Sequence, residues 1–527
     1  MMNIAGILSF FHAALAIPMI ARSLLTSPSD ISQFEVHSLP DGPSLGPSWA
    51  GRLPVPNTEE GNSMFFWLFE TEDLDYDDHL IIWLNGGPGC SSLIGLTTGN
   101  GPVSFDGNST RLIQNPNSWT KLGHVLYVDQ PVGTGLSTAS APNPVTNNDR
   151  VVSDFYSWLQ NFFSNFPHLQ KKQVHLMGES YAGIYIPYFA SAIVDNQDSS
   201  PINLRSMSMG DGTWGNAAAS SFVTTGAYLK SQSSLLQIPD DIISAFAKAD
   251  EICGFDSVME HANTFPPKGK ITIPGDPEGM NYKRHRRSQG SILSDTCNTH
   301  PTTEDGVLSS ILNSTCQGPC ATFSTAMDYL NTVSASGVGK ECFDVYDIKN
   351  DCNTIDPFHL LASYFSRADV QTTLNALPPD SDSGDATLFS ACSDDILQTL
   401  VSVAVPPTPP AYSILPSLVT SHNLALHIYS GDHDMLINHL GTELCLQNMT
   451  WRGAQGFSQK PSRVFFTDNA TPANLAMQNN GDGLAEAGIW ASERGVSFHL
   501  FRDAGHSVFI DKPREMFAYV RDVVVRG

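Results

Sequence analysis

A serine at position 180 has the surroundings of an enzymatic nucleophile. Residues 176–183 read LMGESYAG, so one glycine precedes Ser180 by two residues and another follows it by three. Serine nucleophiles commonly lie in a Gly-x-Ser-x-Gly turn between a strand and a helix, which exposes the hydroxyl. Here Ala182 stands in place of the second glycine, and Gly183 comes one residue late. An ordinary serine in a glycine-rich turn is the alternative.

A base and an acid for this serine occur late in the chain. His506, Asp432 and Asp434 each follow an apolar, strand-like run. The order Ser, Asp, His is the one found in α/β-hydrolases, and active sites of open α/β sheets form past the carboxyl ends of strands. The residues alone leave the acid open between Asp432 and Asp434. Three consecutive residues at 432–434 converge poorly on one ion, so we predict neither a metal nor a cofactor.

A glycine-rich segment can supply the oxyanion hole. Residues 85–92 read NGGPGCSS and follow the apolar run 80–84. Consecutive glycines let backbone N–H groups approach a reacting carbonyl, where they stabilise the developing negative charge. A tight turn with no chemical role is the alternative, but the presence of Ser180 favours the catalytic interpretation.

The elements that must position these residues alternate along the chain. Apolar runs at 80–84, 124–128 and 173–177 predict buried strands, and apolar residues spaced three to four apart over 152–166 predict a helix. This alternation predicts an α/β fold with a mostly parallel sheet covered by helices. The more polar, cysteine-rich segment 214–395 predicts an inserted lid that divides the α/β-hydrolase core into residues 17–213 and 396–527.

The composition restricts the possible partners. The chain has 527 residues, 41% of them hydrophobic, and a formal charge of −25, which is typical of a globular protein and excludes a cationic surface for nucleic acid. An acidic working compartment and simple solubility both account for this charge.

Several features predict export. Residues 1–16 contain a short apolar run ending in Ala-Leu-Ala, which favours a cleaved signal peptide over a signal anchor. Of nine cysteines, six lie between Cys253 and Cys352, where an exported chain would form disulfides; Cys445 is the candidate for the unpaired thiol. The basic run 283–287 is either a processing site or a solvated loop. Acceptor motifs for N-glycosylation occur at Asn108, Asn313, Asn448 and Asn469.

Taken together, the motifs resemble the serine carboxypeptidase family. The resemblance is carried by WLNGGPGCSS at 83–92, DQPVG at 129–133, GESYAG at 178–183, YSGDHD at 429–434 and AGH at 504–506. Weaker similarities occur at 342–348 and 364–370. The resemblance implies an α/β-hydrolase with an inserted lid, secreted or vacuolar, that acts at acidic pH on the carboxyl ends of peptides and proteins.

The resemblance also implies roles for individual residues. It makes Ser180 the nucleophile, His506 the base and Asp434 the orienting acid. It places the oxyanion hole at the backbone N–H groups of Gly87 and Tyr181. The remaining implied roles are binding of the substrate's terminal carboxylate by Asn85, Gly86 and Glu179, and a disulfide between Cys90 and Cys392. Two carboxylates would repel each other, so Glu179 should be protonated in the complex, which would favour an acidic optimum.

Two positions depart from the family pattern. Gly99 stands where the family usually carries a glutamate near the carboxylate site, and Ser507 replaces a methionine that lines the pocket for the leaving residue. These changes keep two alternatives open beside a carboxypeptidase: an acyltransferase on the same scaffold, and a non-catalytic binding or protective homologue.

Overall fold

The computed structural model describes residues 31–274, 302–313, 320–331, 343–350, 357–377, 388–402, 408–467 and 485–527. The predicted signal peptide at 1–16, the basic run at 283–287, Asn469 and four of the clustered cysteines lie outside these ranges.

A ten-stranded sheet forms the centre of the molecule. In chain order its strands are β1 (Ser48–Pro54), β2 (Ser63–Phe69), β3 (His79–Leu84), β4 (His124–Asp129), β5 (Gln173–Glu179), β6 (Leu204–Gly210), β7 (Ala425–Gly431), β8 (Arg463–Thr467), β9 (Ala485–Glu493) and β10 (Val496–Phe501). Their order across the sheet is β1-β2-β4-β3-β5-β6-β7-β10-β9-β8. Short two-stranded sheets pair Val103–Phe105 with Leu112–Gln114, and Thr450–Trp451 with Ala454–Gln455.

The central strands are parallel and the edges are antiparallel. The strands β4, β3, β5, β6, β7 and β10 pair in parallel, while β1 and β2 at one edge and β9 and β8 at the other pair antiparallel. Strands buried on both faces read as continuous apolar runs, and β4 is buried throughout. The predicted strands and the predicted α/β class are therefore confirmed.

Helices cover the sheet and follow its strands. In the first part of the chain they are Leu93–Gly95, Asn148–Asn165 and Ala182–Asp195; in the last part they are Leu415–Thr420, His439–Asn448, Val508–Asp511 and Pro513–Tyr519. The short 3-10 helices are Ile31–Phe34, Leu74–Tyr76, Trp119–Lys121, Leu169–Lys171 and Pro410–Tyr412, and π-helical turns span Leu96–Asn100 and Val520–Val525. The helix predicted from the apolar stripe at 152–166 is confirmed as Asn148–Asn165.

The two faces of the sheet bury separate apolar layers. Successive side chains of a strand point to opposite faces. In β3, Ile82 and Leu84 belong to one layer, while Ile81 and Trp83 belong to the other. The layer that contains Trp83 also contains Phe509, which follows His506 by three residues. This layer therefore extends beneath the candidate site.

The described part of segment 214–395 is helical. Its helices are Ala217–Ser220, Phe222–Ser231, Ser233–Leu236, Asp240–Cys253, Phe255–Ala262, Glu304–Leu312, Thr322–Tyr329, Pro357–Phe365, Ala368–Thr373 and Asp394–Ser402. Several of them share a third apolar cluster, which includes Tyr228, Phe246 and Ile311 and also buries Met435 from the loop after β7. Among the described residues between Gly210 and Ala425, no strand joins the large sheet. The bounds of the predicted lid stay a prediction.

The cysteines agree with the sequence analysis where the structure describes them. Cys90 and Cys392 form a disulfide, as the family resemblance implied, and Cys253 bonds Cys320 within the cysteine cluster. Cys445 is not in a disulfide; its buried sulfur accepts a hydrogen bond from the backbone N–H of Asn216 at 3.2 Å.

One predicted glycosylation site needs correction. Asn448 is only 7% exposed, and its side-chain amide exchanges two hydrogen bonds of 2.8 Å with the backbone of Ile271. Because the acceptor nitrogen is buried and already bonded, the folded chain has no room for a glycan there. Asn108 is exposed and Asn313 is half-buried, so both stay predicted sites.

Candidate active site

Ser180 occupies the strained turn that a nucleophile requires. It follows β5 and precedes the helix Ala182–Asp195, with a backbone φ of 61°. A non-glycine residue in this left-handed region is strained and must be held by its surroundings. The Ser180 N–H donates to the Gly210 carbonyl at 2.9 Å, and the Ser180 carbonyl accepts from Gly183 at 2.9 Å and Thr213 at 3.1 Å. These bonds fix the turn that presents the hydroxyl.

The unusual glycine spacing has a steric reason. A Cβ at Gly178 would lie 2.3 Å from the carbonyl oxygen of Leu84 and 2.7 Å from the Cβ of Ala182. A Cβ at Gly183 would lie 2.6 Å from the backbone nitrogen of Thr213. The close backbone approaches therefore occur at 178 and 183, and the methyl group of Ala182 is accommodated against Gly178.

The structure decides between the two candidate acids. His506 Nδ1 lies 2.7 Å from Asp434 Oδ2, and Asp434 is fully buried. The other oxygen, Oδ1, accepts from the Ile437 N–H at 3.1 Å. Asp432 instead lies 3.7 Å from His433 and 3.5 Å from Arg502. Asp434 is thus placed to orient the imidazole, and Asp432 belongs to a neighbouring ionic cluster.

Tyr346, which lies in the predicted lid, holds His506 in place. The N–H of His506 donates to the Tyr346 carbonyl at 2.8 Å, and the Tyr346 ring meets the imidazole edge-on at 5.2 Å between centroids. Burial acts to lower the pKa of His506, but the negative charges of Asp434 and Glu179 outweigh it, and the net pKa is raised. His506 is therefore held by contacts to Asp434 and Tyr346, and its protonated form is favoured by the neighbouring carboxylates.

Glu179 lies beside the nucleophile in an unusual environment. Its side chain is 4% exposed, and Oε1 accepts from Asn85 Nδ2 at 2.8 Å. Within the described residues, Oε2 is buried without a well-formed hydrogen bond. Burial raises the pKa of Glu179 to about 7, against the lowering effect of His506 and of the nearby Ser507 hydroxyl. A neutral carboxyl can donate a hydrogen bond to an incoming carboxylate.

The Asn85 side chain is fixed in one orientation. Its Oδ1 accepts from the Trp83 indole N–H at 2.8 Å and from the Gly95 N–H at 3.1 Å. Its own backbone N–H donates to Ser92 Oγ at 3.2 Å. Because two donors face Oδ1, the amide NH2 group must face Glu179. We call the pair Asn85 and Glu179 the carboxylate receiver.

The glycine-rich segment lies directly against the nucleophile turn. A Cβ at Gly86 would lie 2.4 Å from the backbone nitrogen of Tyr181 and 2.8 Å from Ser180 Cβ. Gly87 has a φ of 102°, and a Cβ there would lie 2.7 Å from Cys90 Sγ. The structure thus brings residues 85–87 together with residues 179–181, as the sequence analysis expected.

Asp211, which belongs to none of the sequence motifs above, also lies next to this site. Asp211 is fully buried, and its two oxygens each lie 3.2 Å from the Gly431 N–H. Burial, together with the charge of Asp434, raises its pKa well above the ordinary value. Like the other site residues it directly follows a strand, and that position was the signal that could have found it.

Comparison with known proteins agrees with this geometry. The family model described as serine carboxypeptidase matches residues 43–526. A carboxypeptidase Y homolog of Arthroderma benhamiae is 45% identical over 531 residues, which cover 100% of both chains. The pheromone-processing carboxypeptidase kex1 of Aspergillus oryzae is 31% identical over 507 residues, which cover 93% of this chain and 68% of the relative.

A solved structure shows the same fold. It is the crystal structure of Kex1(delta)p, a prohormone-processing carboxypeptidase from Saccharomyces cerevisiae, with a TM-score of 0.67 and 22% identity over 94% of this chain and 96% of that chain. The resemblance seen in the motifs is therefore confirmed over nearly the whole length. The chain belongs to the serine carboxypeptidase family, hydrolases of α/β-hydrolase fold that remove residues from the carboxyl ends of peptides.

Proposed function

We propose that Ser180, His506 and Asp434 perform this hydrolysis as a catalytic triad. The observation that carries the proposal is the 2.7 Å contact between His506 Nδ1 and Asp434 Oδ2. His506 and Glu179 influence each other's pKa, and Glu179 directly precedes the strained Ser180 turn. Asp434 holds the imidazole so that its other nitrogen can take the proton of the Ser180 hydroxyl.

The reaction then proceeds in two balanced steps. The Ser180 oxygen attacks the carbonyl carbon of the last peptide bond, and the proton held by His506 passes to the leaving amine, which departs as a free amino acid. Water then attacks the resulting ester; His506 takes a proton from that water and returns it to the Ser180 oxygen. The shortened peptide leaves with a new carboxylate.

We assign the oxyanion hole to the backbone N–H groups of Gly87 and Tyr181. Tyr181 precedes the helix Ala182–Asp195, so its N–H lies at the positive end of the helix dipole. The close approach of Gly86 to this nitrogen supports the assignment, because it places the glycine-rich backbone next to the reacting hydroxyl. Two such donors stabilise the negative oxygen of the tetrahedral intermediate.

The carboxylate receiver explains why the enzyme acts at chain ends. Asn85 and neutral Glu179 can both donate hydrogen bonds to a terminal carboxylate, and Gly86 lets this segment lie directly against the backbone of Glu179 and Tyr181. Ionised Glu179 would repel that carboxylate, so binding should weaken as pH rises through the Glu179 pKa of about 7. The neighbouring hydroxyl of Ser507 places a polar group in the pocket for the leaving residue.

We also propose that the protein works in the secretory pathway, either outside the cell or in a vacuolar compartment. The two disulfides support this, since disulfides persist in oxidising compartments. Among the described residues, no helix is both long enough and apolar enough to cross a bilayer.

The test compares release of the last amino acid from N-blocked dipeptides and from their C-terminal amides between about pH 4 and pH 8. We expect release that depends on the free carboxylate and is abolished in Ser180→Ala. Equal turnover of acid and amide would contradict the receiver, and unchanged release by Ser180→Ala would contradict the triad. A competing alcohol or amine in the same assay reveals acyl transfer, which the proposal excludes as the main reaction.

A further inference from the structure

We propose that Phe509 positions the carboxylate receiver, and that Gly99 provides the space that the Phe509 ring requires. The inference rests on the proposed function, since it assigns a support to the same site. It pairs two residues that are distant in sequence and that lie outside the catalytic triad.

A side chain at position 99 and the ring of Phe509 would occupy the same space. A Cβ at Gly99 would lie 2.7 Å from the carbonyl oxygen of Phe509 and 2.8 Å from its ring carbon Cδ2. Phe509 is fully buried and lies in the short helix Val508–Asp511. Any side chain at 99 must therefore displace both the ring and the backbone of this helix.

The Phe509 ring holds a tryptophan that in turn holds the receiver. Phe509 meets the Trp83 ring edge-on at 5.2 Å, with an interplanar angle of 85°. Trp119 meets Trp83 edge-on at 5.3 Å, with an angle of 81°. All three rings are almost completely buried. Trp83 is thus held between two aromatic neighbours and has little freedom to tilt.

The position of Trp83 decides the orientation of Asn85. The indole N–H donates to Asn85 Oδ1 at 2.8 Å, and Asn85 Nδ2 donates to Glu179 Oε1 at 2.8 Å. A tilt of the indole would lengthen the first bond and allow the amide to rotate away from Glu179. The contacts therefore run from Phe509 through Trp83 and Asn85 to Glu179. Because Gly99 has no side chain, it leaves room for the Phe509 ring.

Phe509 also follows His506 by three residues, so its replacement could disturb the base directly. The test must separate the two effects. Labelling of Ser180 by a fluorophosphonate requires the triad and makes no use of a substrate carboxylate. The ratio of kcat/KM for an N-blocked dipeptide to that for its C-terminal amide reports the receiver.

The first experiment uses Phe509→Leu, with Phe517→Leu as the matched control. Phe517 is buried in the same apolar layer, in the helix Pro513–Tyr519. For Phe509→Leu we expect KM for the free acid to rise roughly 3- to 10-fold, the size expected for one weakened hydrogen bond. We expect the acid-to-amide ratio to fall equally, with the labelling rate kept within about twofold. Phe517→Leu should leave the ratio unchanged.

An unchanged ratio in Phe509→Leu, or an equal loss on acid and amide together with slow labelling, would overturn the inference. Loss of labelling in Ser180→Ala tests the triad separately, so failure of the proposed function is distinguishable from failure of this inference.

A second experiment tests the pairing with Gly99. Gly99→Ala should lower the acid-to-amide ratio in the parent chain, because the new methyl group displaces the Phe509 ring. In a Phe509→Ala background the same change should cost less, since the ring carbon at 2.8 Å is gone. Strictly additive losses would show that the two residues act independently.

Discussion

The proposed triad and the proposed carboxylate receiver lie side by side but are built differently. The acid and base of the triad are joined by a 2.7 Å contact and held by backbone bonds from loops at strand ends. The receiver contains a buried carboxyl with one oxygen lacking a well-formed bond among the described residues, and its amide is oriented by a tryptophan. The triad thus depends on backbone placement, while the receiver depends on protonation and aromatic packing. Changes to the triad should abolish turnover, and changes to the receiver should alter substrate choice and pH dependence.

The largest expected effect separates the two aspartates after β7. Asp434→Asn should lower kcat by about 10³- to 10⁴-fold, because the asparagine no longer stabilises the correct tautomer and the charged form of His506. Asp432→Asn, the matched control, should stay within about tenfold, since Asp432 contacts His433 and Arg502. Steady-state kinetics on one N-blocked dipeptide gives both values. A larger loss for Asp432→Asn would reverse the assignment.

A smaller effect is expected when the receiver loses its amide. Asn85→Ala removes a donor to the substrate carboxylate and the bond to Glu179, so KM for free-acid substrates should rise about 10- to 100-fold. Turnover of the corresponding C-terminal amide should change much less. An equal loss of activity on the free acid and on its amide would contradict a separate role for the receiver.

The third effect is a change in pH profile. Glu179→Gln removes the group whose pKa of about 7 should limit carboxylate binding at higher pH, so the fall of kcat/KM above that pH should disappear. The acidic limb, which reports protonation of His506, should change little, because Glu179 is already neutral at that pH and Asp434 is the main charge that raises the His506 pKa. A pH series of kcat/KM from both enzymes is the measurement, and an unchanged fall above pH 7 would contradict this role of Glu179.

The smallest effect on activity is expected from a change at His499, which belongs to neither the triad nor the carboxylate receiver. His499 is fully buried, stacks on Trp490 at 5.6 Å, and lacks hydrogen-bond partners for its ring nitrogens among the described residues. Burial lowers its pKa to about 3. An unfolded histidine binds a proton below about pH 6.5, so stability is lost as pH falls from there towards 3.

The variant His499→Phe should recover about 1–3 kcal/mol of that loss at pH 4, with activity unchanged. Denaturant unfolding of parent and variant at pH 4 and at neutral pH measures the difference. The same gain at both pH values would point to packing, and no gain at pH 4 would contradict the proposed titration.

Much of the fold and site could be predicted from sequence because parallel strands and their following loops are local patterns. The apolar runs gave the central strands, and Ser180 and His506 were found from where they follow those runs. The choice of Asp434 over Asp432 was left open by the residues alone, since two positions after one strand differ only in three dimensions.

Other features depend on contacts between distant segments. Asn448 matches a local glycosylation motif, but its burial comes from the backbone of Ile271. The fit between Gly99 and Phe509 likewise arises only when two segments that are distant in sequence meet. No pattern of spacing or composition records such a fit.

The Cys90–Cys392 disulfide determines when the glycine-rich segment can be fixed in place during synthesis. The glycine-rich segment is synthesised early, but its partner cysteine lies 302 residues further on. Backbone bonds from Ser91 to the Ala391 carbonyl and from Ser393 to the Gly89 carbonyl also join these segments. The segment that faces the nucleophile is therefore completed only after most of the chain has left the ribosome and met an oxidant. A chain that has been synthesised only as far as Cys392 can close this bond, but it still lacks Asp434 and His506, so the glycine-rich segment can be tied in place before the proposed triad is complete.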